Sequence, residues 1–530
     1  MKFPDGMVRS SALALIAGAA AALAHPPFGF LPGLLGYGLL LALSDRPDPI
    51  SPLRSAFWRG WLAGSAYFLI GCWWVAQAFL VDAAEQGWMA PFAVMILAGG
   101  LGLFWAAACL VYAWLKPANP MWKALAFAGA LSAAEWLRGH IFTGFPWNLP
   151  GETWAAGSAP SQAASLVGAY GLTWLTLVIA TGLVAPLAFG RNRPTLATAG
   201  VCAATLAGLY GFGLQRLAHT QPIAPDAPLL RIVQADVPQT MLENGANFEL
   251  ILSRYLRLTA QPSARRPTIV IWPEGALPIS ANDTLSPQSW VSTAIAHALG
   301  PDQLLLMGAY RTAGAPPKQS YFNSLLAVRR QGDGLALTTF YDKHRLVPFG
   351  EYLPFDKAMG ALGIKKLVHV GDGFASGPAP APIVAPGAPP MQPLICYEAL
   401  FPGFTRQGQD QTGIRARWIV NVSDDAWYGP TSGPWQHLNL TSYRAIEEGL
   451  PLVRATPTGV SAVVDAYGRS PKALRLGLGA QGVIDAPLPP ALPPTLYNRF
   501  GDTMFALMLA LSLVSVFARW RPFPTDHLQT

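Results

Sequence analysis

The stretch PTIVIWPEGALP, residues 267–278, decides the reading of the fold: a short β-branched and apolar run stops at a proline and delivers one carboxylate, Glu274, at its tip. Such a run bounded by turn residues reads as a strand. The same grammar recurs on both sides, in LLRIVQADV (229–237), QLLLMGAY (303–310), NSLLAVRR (323–330), PLICYEALF (393–401), ARWIVNVS (416–423) and VSAVVDAYG (460–468). Helical stretches near 242–260, 287–299 and 434–449 fall between some of them, which predicts an α/β domain with its reactive groups at strand ends. Residues 376–393, rich in Pro, Ala and Gly, read as an exposed connection before the strand that carries Cys396.

Beyond this domain the character changes. Of 530 residues, 52% are hydrophobic and 12% charged, against about 25% charged in an ordinary soluble domain. Apolar runs near 8–24, 28–44, 57–81, 88–115, 122–138, 164–190, 195–214 and 501–520 approach the roughly 20 residues that span a bilayer. We read eight membrane helices: a membrane domain of seven over residues 1–220, an α/β domain over 221–500, and a last helix with a tail over 501–530. Lysine and arginine cluster in alternate connections, at Lys2 and Arg9, at Arg46, Arg54 and Arg59, at Lys116 and Lys123, at Arg191 and Arg193, and at Arg519 and Arg521. The positive-inside rule then puts both termini in the cytoplasm and residues 221–500 outside. The first run, ending Ala22-Leu23-Ala24, also fits a cleavable signal peptide.

The formal charge of +7 lacks any basic cluster interleaved with aromatics, so nucleic-acid binding is excluded. The four cysteines show no CxxC or Cys/His ligand spacing, and no metal or organic cofactor is indicated.

Three strand ends each offer one reactive side chain: Glu274; Lys343, with Glu351 following, in FYDKHRLVPFGEYLP (340–354); and Cys396 in PLICYEALFP (393–402). A thiol needs a group to take its proton and a cation to steady the negative charge that follows, so base, cation and nucleophile form a workable set. The backbone N–H of Tyr397 is placed to help bind an oxyanion. Each residue alone also has an ordinary reading, as a buried small hydrophobe, a cap or a solvated charge.

At these residues the sequence resembles the nitrilase superfamily, with its Glu-Lys-Cys order, and more specifically its membrane-embedded apolipoprotein N-acyltransferase branch. The segment LSAAEWLRGHIFTGFPWNLPG (131–151) and the stretch from Asp424 to Arg469 extend the resemblance over nearly the whole chain. The resemblance implies an extracytoplasmic α-β-β-α sandwich, with Glu274 as general base, Lys343 as stabiliser of the tetrahedral intermediate and Cys396 as nucleophile. Glu351 matches a supporting glutamate, and Tyr397 and Glu398 a Cys-Tyr-Glu motif that organises the nucleophile's surroundings; Glu351 and Glu398 also admit purely structural readings. It further implies transfer of a fatty acyl chain from a phospholipid, through a Cys396 thioester, to the α-amine of a diacylated apolipoprotein, by a monomer in a bacterial inner membrane. The sequence departs from the family pattern in three places: Met241 and Leu242 stand where an aromatic is expected, Asp424-Asp425 replaces Asn-Asp, and Pro457-Thr458-Gly459 replaces Asn-Thr-Gly.

Two further expectations come from the residues themselves. Residues 352–371, including Tyr352, Leu353, Phe355, Met359, Leu362 and Ile364, read as an adjustable lid at the membrane surface or an ordinary core segment. Glu135 and Arg138, spaced i,i+3, pair with each other or with the headgroup layer. A membrane-anchored amidase would use the same triad but leaves the eight helices unexplained, and a transporter is disfavoured by apolar runs that hold few ionisable residues.

Overall fold

The computed structural model describes residues 5–46, 48, 50–115, 117–315, 318–353 and 373–517. Lys2, Lys116, Arg519 and Arg521, and the lid residues Phe355, Met359, Leu362 and Ile364, lie outside them.

The apolar runs form helices α1 (Asp5–Leu23), α2 (Leu35–Asp45), α3 (Pro52–Cys72), α4 (Ala90–Leu115), α5 (Pro120–His140), α6 (Ala164–Ala188) and α7 (Arg193–Ala218). Among the described residues four stretches, Pro52–Leu80, Ala83–Leu115, Pro160–Ala188 and Arg193–Ala218, are long and apolar enough to cross a membrane. Small residues let the helices close in: a side chain at Gly18 of α1 would strike the Ala63 carbonyl of α3 at 1.8 Å. That is how helices associate where burying apolar surface gives no drive.

Two runs are not the continuous helices expected. The run 57–81 leaves α-helical geometry at Cys72 and continues as a 3-10 segment, Trp73–Leu80. Within α6, Gly168 takes φ 69° and breaks the helix, and the Tyr497 ring fills the space a side chain there would need, 2.2 Å from the Cβ position. Ala169 restarts the helix, its N–H donating to Glu447 Oε1 at 2.8 Å.

Glu135 and Arg138 meet as a fully buried ion pair rather than at a headgroup layer. Trp105 Nε1 donates to Glu135 at 2.7 Å, and Arg138 donates to the Phe145 carbonyl, which anchors the loop after α5. Arg138→Ala leaves a buried carboxylate unpaired and is expected to cost about 3–5 kcal/mol. Thermal unfolding in detergent would register this, and the double change Glu135→Gln with Arg138→Met should recover most of it.

The remaining chain builds two sheets. Strands β1 (Leu229–Gln234), β2 (Ile269–Trp272), β3 (Leu304–Ala313), β4 (Ser320–Gln331), β5 (Gly334–Asp342), β6 (Met391–Ile395), β7 (Trp418–Val422), β8 (Leu452–Ala455), β9 (Ser461–Val464), β10 (Arg475–Leu476) and β11 (Gly482–Pro487) pair in the orders β11-β1-β2-β3-β4-β5 and β10-β9-β8-β7-β6. Strands β1, β2 and β3, and again β6, β7 and β8, run parallel. Parallel strands are covered on both faces, which is why their sequences are continuous apolar runs. In β2, Ile269 and Ile271 face the second sheet, while Val270 and Trp272 face helices α8 (Phe248–Thr259) and α9 (Trp290–Ala298). The outer face of the second sheet carries α10 (Phe404–Thr412) and α11 (Gly433–Glu448), and α12 (Thr503–Phe517) returns to the helical bundle. Residues 376–393 are not a wholly exposed connection: Pro380, Pro382, Ile383 and Ala385 are buried, and Ile383 exchanges backbone hydrogen bonds with Met391.

One face of α11 stitches the α/β layers to the helices. Gln436 accepts from Trp74 and Trp147 at 3.0 and 2.9 Å, and Asn439 donates to the Glu152 carbonyl at 3.0 Å. Tyr443 donates to the Trp154 carbonyl at 2.6 Å, and Glu447 receives Ala169 N–H. Spacings of three and four keep these side chains on one stripe.

Candidate active site

Each expected reactive residue sits at the end of a strand. Glu274 follows β2 by one proline, Lys343 directly follows β5, and Cys396 directly follows β6 at φ 49°, opening a 3-10 turn, Cys396–Leu400. A non-glycine residue at positive φ is uncommon and costs of order 1 kcal/mol or more, held here by the surrounding turn. All three side chains are buried.

Lys343 is the centre of charge. Its Nζ donates to Glu274 Oε1 at 3.2 Å and to Glu351 at 3.0 Å. Asn323 completes the square, its amide nitrogen donating one proton to Glu274 at 2.7 Å and the other to Glu351 at 2.8 Å. Glu274 Oε2 accepts the Asp424 N–H at 2.6 Å, and Glu351 Oε2 accepts the Val347 N–H at 2.8 Å. Two carboxylates and one ammonium leave one net negative charge. Burial alone would depress the Lys343 ammonium, but the fields of Glu274, Glu351 and Cys396 hold its pKa above the usual lysine value. Burial pushes the Cys396 thiol up, Glu274 adds to this, and Lys343 offsets only part. These surroundings favour the thiol over the thiolate at Cys396.

Beside Cys396, Asp425 accepts from Ser423 Oγ at 2.8 Å and from Arg454 at 2.6 Å, and lies 3.0 Å from His437 Nδ1. Although burial would raise it, Arg454 and His437 hold this carboxyl well below the usual range. The helical bundle also reaches the site: the Tyr397 hydroxyl donates to the carbonyl of Gly144, inside the TGFPW block.

This geometry sits in a chain whose residues 17–182 match the apolipoprotein N-acyltransferase N-terminal domain and whose residues 229–492 match the carbon-nitrogen hydrolase domain. An apolipoprotein N-acyltransferase of Caulobacter vibrioides is 56% identical over 511 residues, covering 96% of this chain and 94% of that one. The chain belongs to the apolipoprotein N-acyltransferase family. A second member, from Rhodopseudomonas palustris, is 37% identical over 97% of this chain and 96% of its own. An amidase from Nesterenkonia sp. aligns with TM-score 0.33 and 19% identity over 50% of this chain and 93% of its own length.

In this family member the structure brings Glu274, Lys343 and Glu351 into direct contact and sets Cys396 within their field. Asn323 was missed by sequence reasoning, although it opens the quoted run NSLLAVRR and its carbonyl accepts the Lys343 N–H at 2.8 Å. Asp425, His437 and Arg454 were missed as well, each an ionisable residue buried within the Asp424–Arg469 stretch.

Glu398 is held from both sides by hydrogen bonds. Its Oε1 accepts from Tyr341 Oη at 2.8 Å and from the N–H groups of His344 and Arg345 at 2.7 and 3.2 Å, while Oε2 accepts the Ile395 N–H at 2.8 Å. One carboxyl thus ties the loop after Lys343 to the turn of Cys396. Burial raises its pKa to about 7 despite those donors. The folded state accordingly binds more protons than the unfolded chain between the ordinary glutamate value and about 7, and stability falls as pH rises through that window. Glu398→Gln should flatten this dependence in a denaturation series and, by turning an amide N–H toward a backbone N–H, lower stability by about 1–3 kcal/mol.

Proposed function

We propose that the chain transfers a fatty acyl group from a membrane phospholipid to the N-terminal α-amine of S-diacylglyceryl-cysteine apolipoproteins, through a thioester on Cys396. The observation that carries the reading is the Lys343 ammonium held between Glu274 and Glu351 beside a strained, buried cysteine. In the first half-reaction Glu274 takes the thiol proton and sulfur attacks the ester carbonyl. Lys343 and the Tyr397 N–H steady the oxyanion, and the lysophospholipid leaves with the proton returned from Glu274. In the second half the apolipoprotein amine attacks the thioester, Glu274 takes its proton and hands it to sulfur, and an amide is released. Glu351 keeps Lys343 in place, and Glu398 and the Tyr397 ring hold the nucleophile's turn.

The same reading places the protein in a bacterial inner membrane with eight spans, both termini cytoplasmic and residues 221–500 periplasmic, acting as a monomer. The division at 1–220, 221–500 and 501–530 follows it. Both substrates are bilayer-bound, and lifting their chains into water costs about 0.8 kcal/mol per CH₂. A site against the helical bundle avoids that cost and limits hydrolysis of the thioester.

Intact-mass analysis after incubation with phospholipid tests this. The expected result is one acyl-sized adduct that a diacylglyceryl-cysteine peptide removes as it becomes N-acylated; ammonia release from small amides with no adduct would replace transfer by hydrolysis.

A further inference from the structure

A cavity of about 240 Å³ opens where the helical bundle meets the nucleophile's turn, lined by His140, Tyr170, Arg345, Phe401, Phe404 and Gln407 among others. Two of its lining residues adjoin the reactive residues along the chain. Arg345 lies two residues beyond Lys343, within about 7 Å along the backbone, and Phe401 caps the turn that begins at Cys396.

Arg345 is a half-buried cation without a carboxylate at ion-pair distance among the described residues. Its guanidinium covers the Phe401 ring at 4.0 Å and makes one long contact, 3.4 Å, to the Thr143 carbonyl. Glu398, whose charge it feels, is occupied by backbone N–H groups, including that of Arg345 itself. Tyr170 also lines the cavity, and its buried hydroxyl has no hydrogen-bond partner among the described residues. An arginine fork and an unpartnered donor lining one cavity form an arrangement that can receive a phosphate. The aromatic floor suits a phosphate delivered on a lipid.

We propose that this cavity holds the phosphodiester of the acyl donor, with Arg345 as its cation and the Tyr170 hydroxyl as a hydrogen-bond donor, one glycerol unit from the ester at Cys396. The assignment rests on the phospholipid-donor reading above. It makes Arg345 a donor-specificity residue rather than part of the acyl-transfer chemistry.

The test compares Cys396 acylation rates in the full-length protein for a diacyl phospholipid and for a p-nitrophenyl fatty ester that lacks phosphate. Arg345→Gln should lower kcat/KM for the phospholipid about 10- to 100-fold more than for the phosphate-free ester. Arg345→Lys should fall between, and Tyr170→Phe should shift the same ratio by a few-fold. Equal losses on both donors, or no loss on either, overturn the proposal, the first by making Arg345 a support of the turn. Inorganic phosphate competing with phospholipid as well as glycerophosphoethanolamine does would assign the cavity to the free anion and overturn it too. Failure of the wild type to take an acyl group from any phospholipid while reacting with the p-nitrophenyl ester overturns the donor reading and this subsite together; failure of the subsite alone leaves wild-type acylation intact.

Discussion

Cys396→Ala is expected to abolish the acyl adduct and to lower N-acylation by about four orders of magnitude or more, because in the proposed reaction the acyl chain is carried between the two half-reactions on Cys396. The protein should remain folded. Alanine meets the positive φ at position 396 no worse than cysteine does, and the turn is held from outside by Glu398, which accepts the Ile395 N–H, and by the Tyr397 hydroxyl on Gly144. Cys396→Ser should keep the fold equally well and react far more slowly, since a buried hydroxyl loses its proton much less readily than a thiol. Intact mass, with a thermal unfolding curve on the same sample, reads both effects. Acyl transfer persisting in the alanine variant would remove Cys396 from the mechanism.

Glu274→Gln should give the second largest loss, about 10²- to 10⁴-fold in the acylation step. The sign of its pH dependence identifies the role. If Glu274 acts as the proposed base, the thiol proton of the wild type passes to it inside the site, so the rate should vary little with pH over the neutral range. Glu274 also raises the Cys396 pKa, so its neutralisation lowers that pKa and leaves ionisation to the solvent. The variant's rate should therefore climb about tenfold per pH unit until the thiol titrates. Single-turnover acylation between pH 6 and 9 checks this, and parallel profiles for wild type and variant would assign Glu274 a purely electrostatic part.

The strand ends bearing Glu274 and Cys396 were legible because β2 and β6 are buried along their whole length, β6 even though it is the edge of its sheet, and both end in apolar runs. β5, also an edge strand, left a weaker mark: Leu337, Thr338 and Phe340 are exposed, and only its end at Lys343 was read as a strand end. β8 was lost for its brevity, four residues directly after Pro451. Asn323 was invisible for a different reason: its two amide protons matter only once folding brings Glu274 and Glu351 to either side of it. The break at Gly168 was hidden too, since its cause, the Tyr497 ring, lies more than three hundred residues away in the chain. In α11 the buried polar stripe ran against the usual reading of a helix, in which the polar face is the wet one.

The return of α12 to the bundle has a consequence for biogenesis. Its Ser512 receives the Trp174 indole N–H at 2.8 Å and fills the notch at Gly129 of α5, and Phe505 lies against Tyr170 of α6. The ribosome delivers this helix after every strand of both sheets. Until it emerges, the seam between α5 and α6 stays open and the Trp174 N–H lacks its acceptor, so the bundle begun before the sheets is closed only after them. Chains stalled or truncated before residue 503 would carry an assembled nucleophile turn on an unsealed bundle, the kind of lesion that membrane quality control detects by its exposed seam rather than by its lost activity.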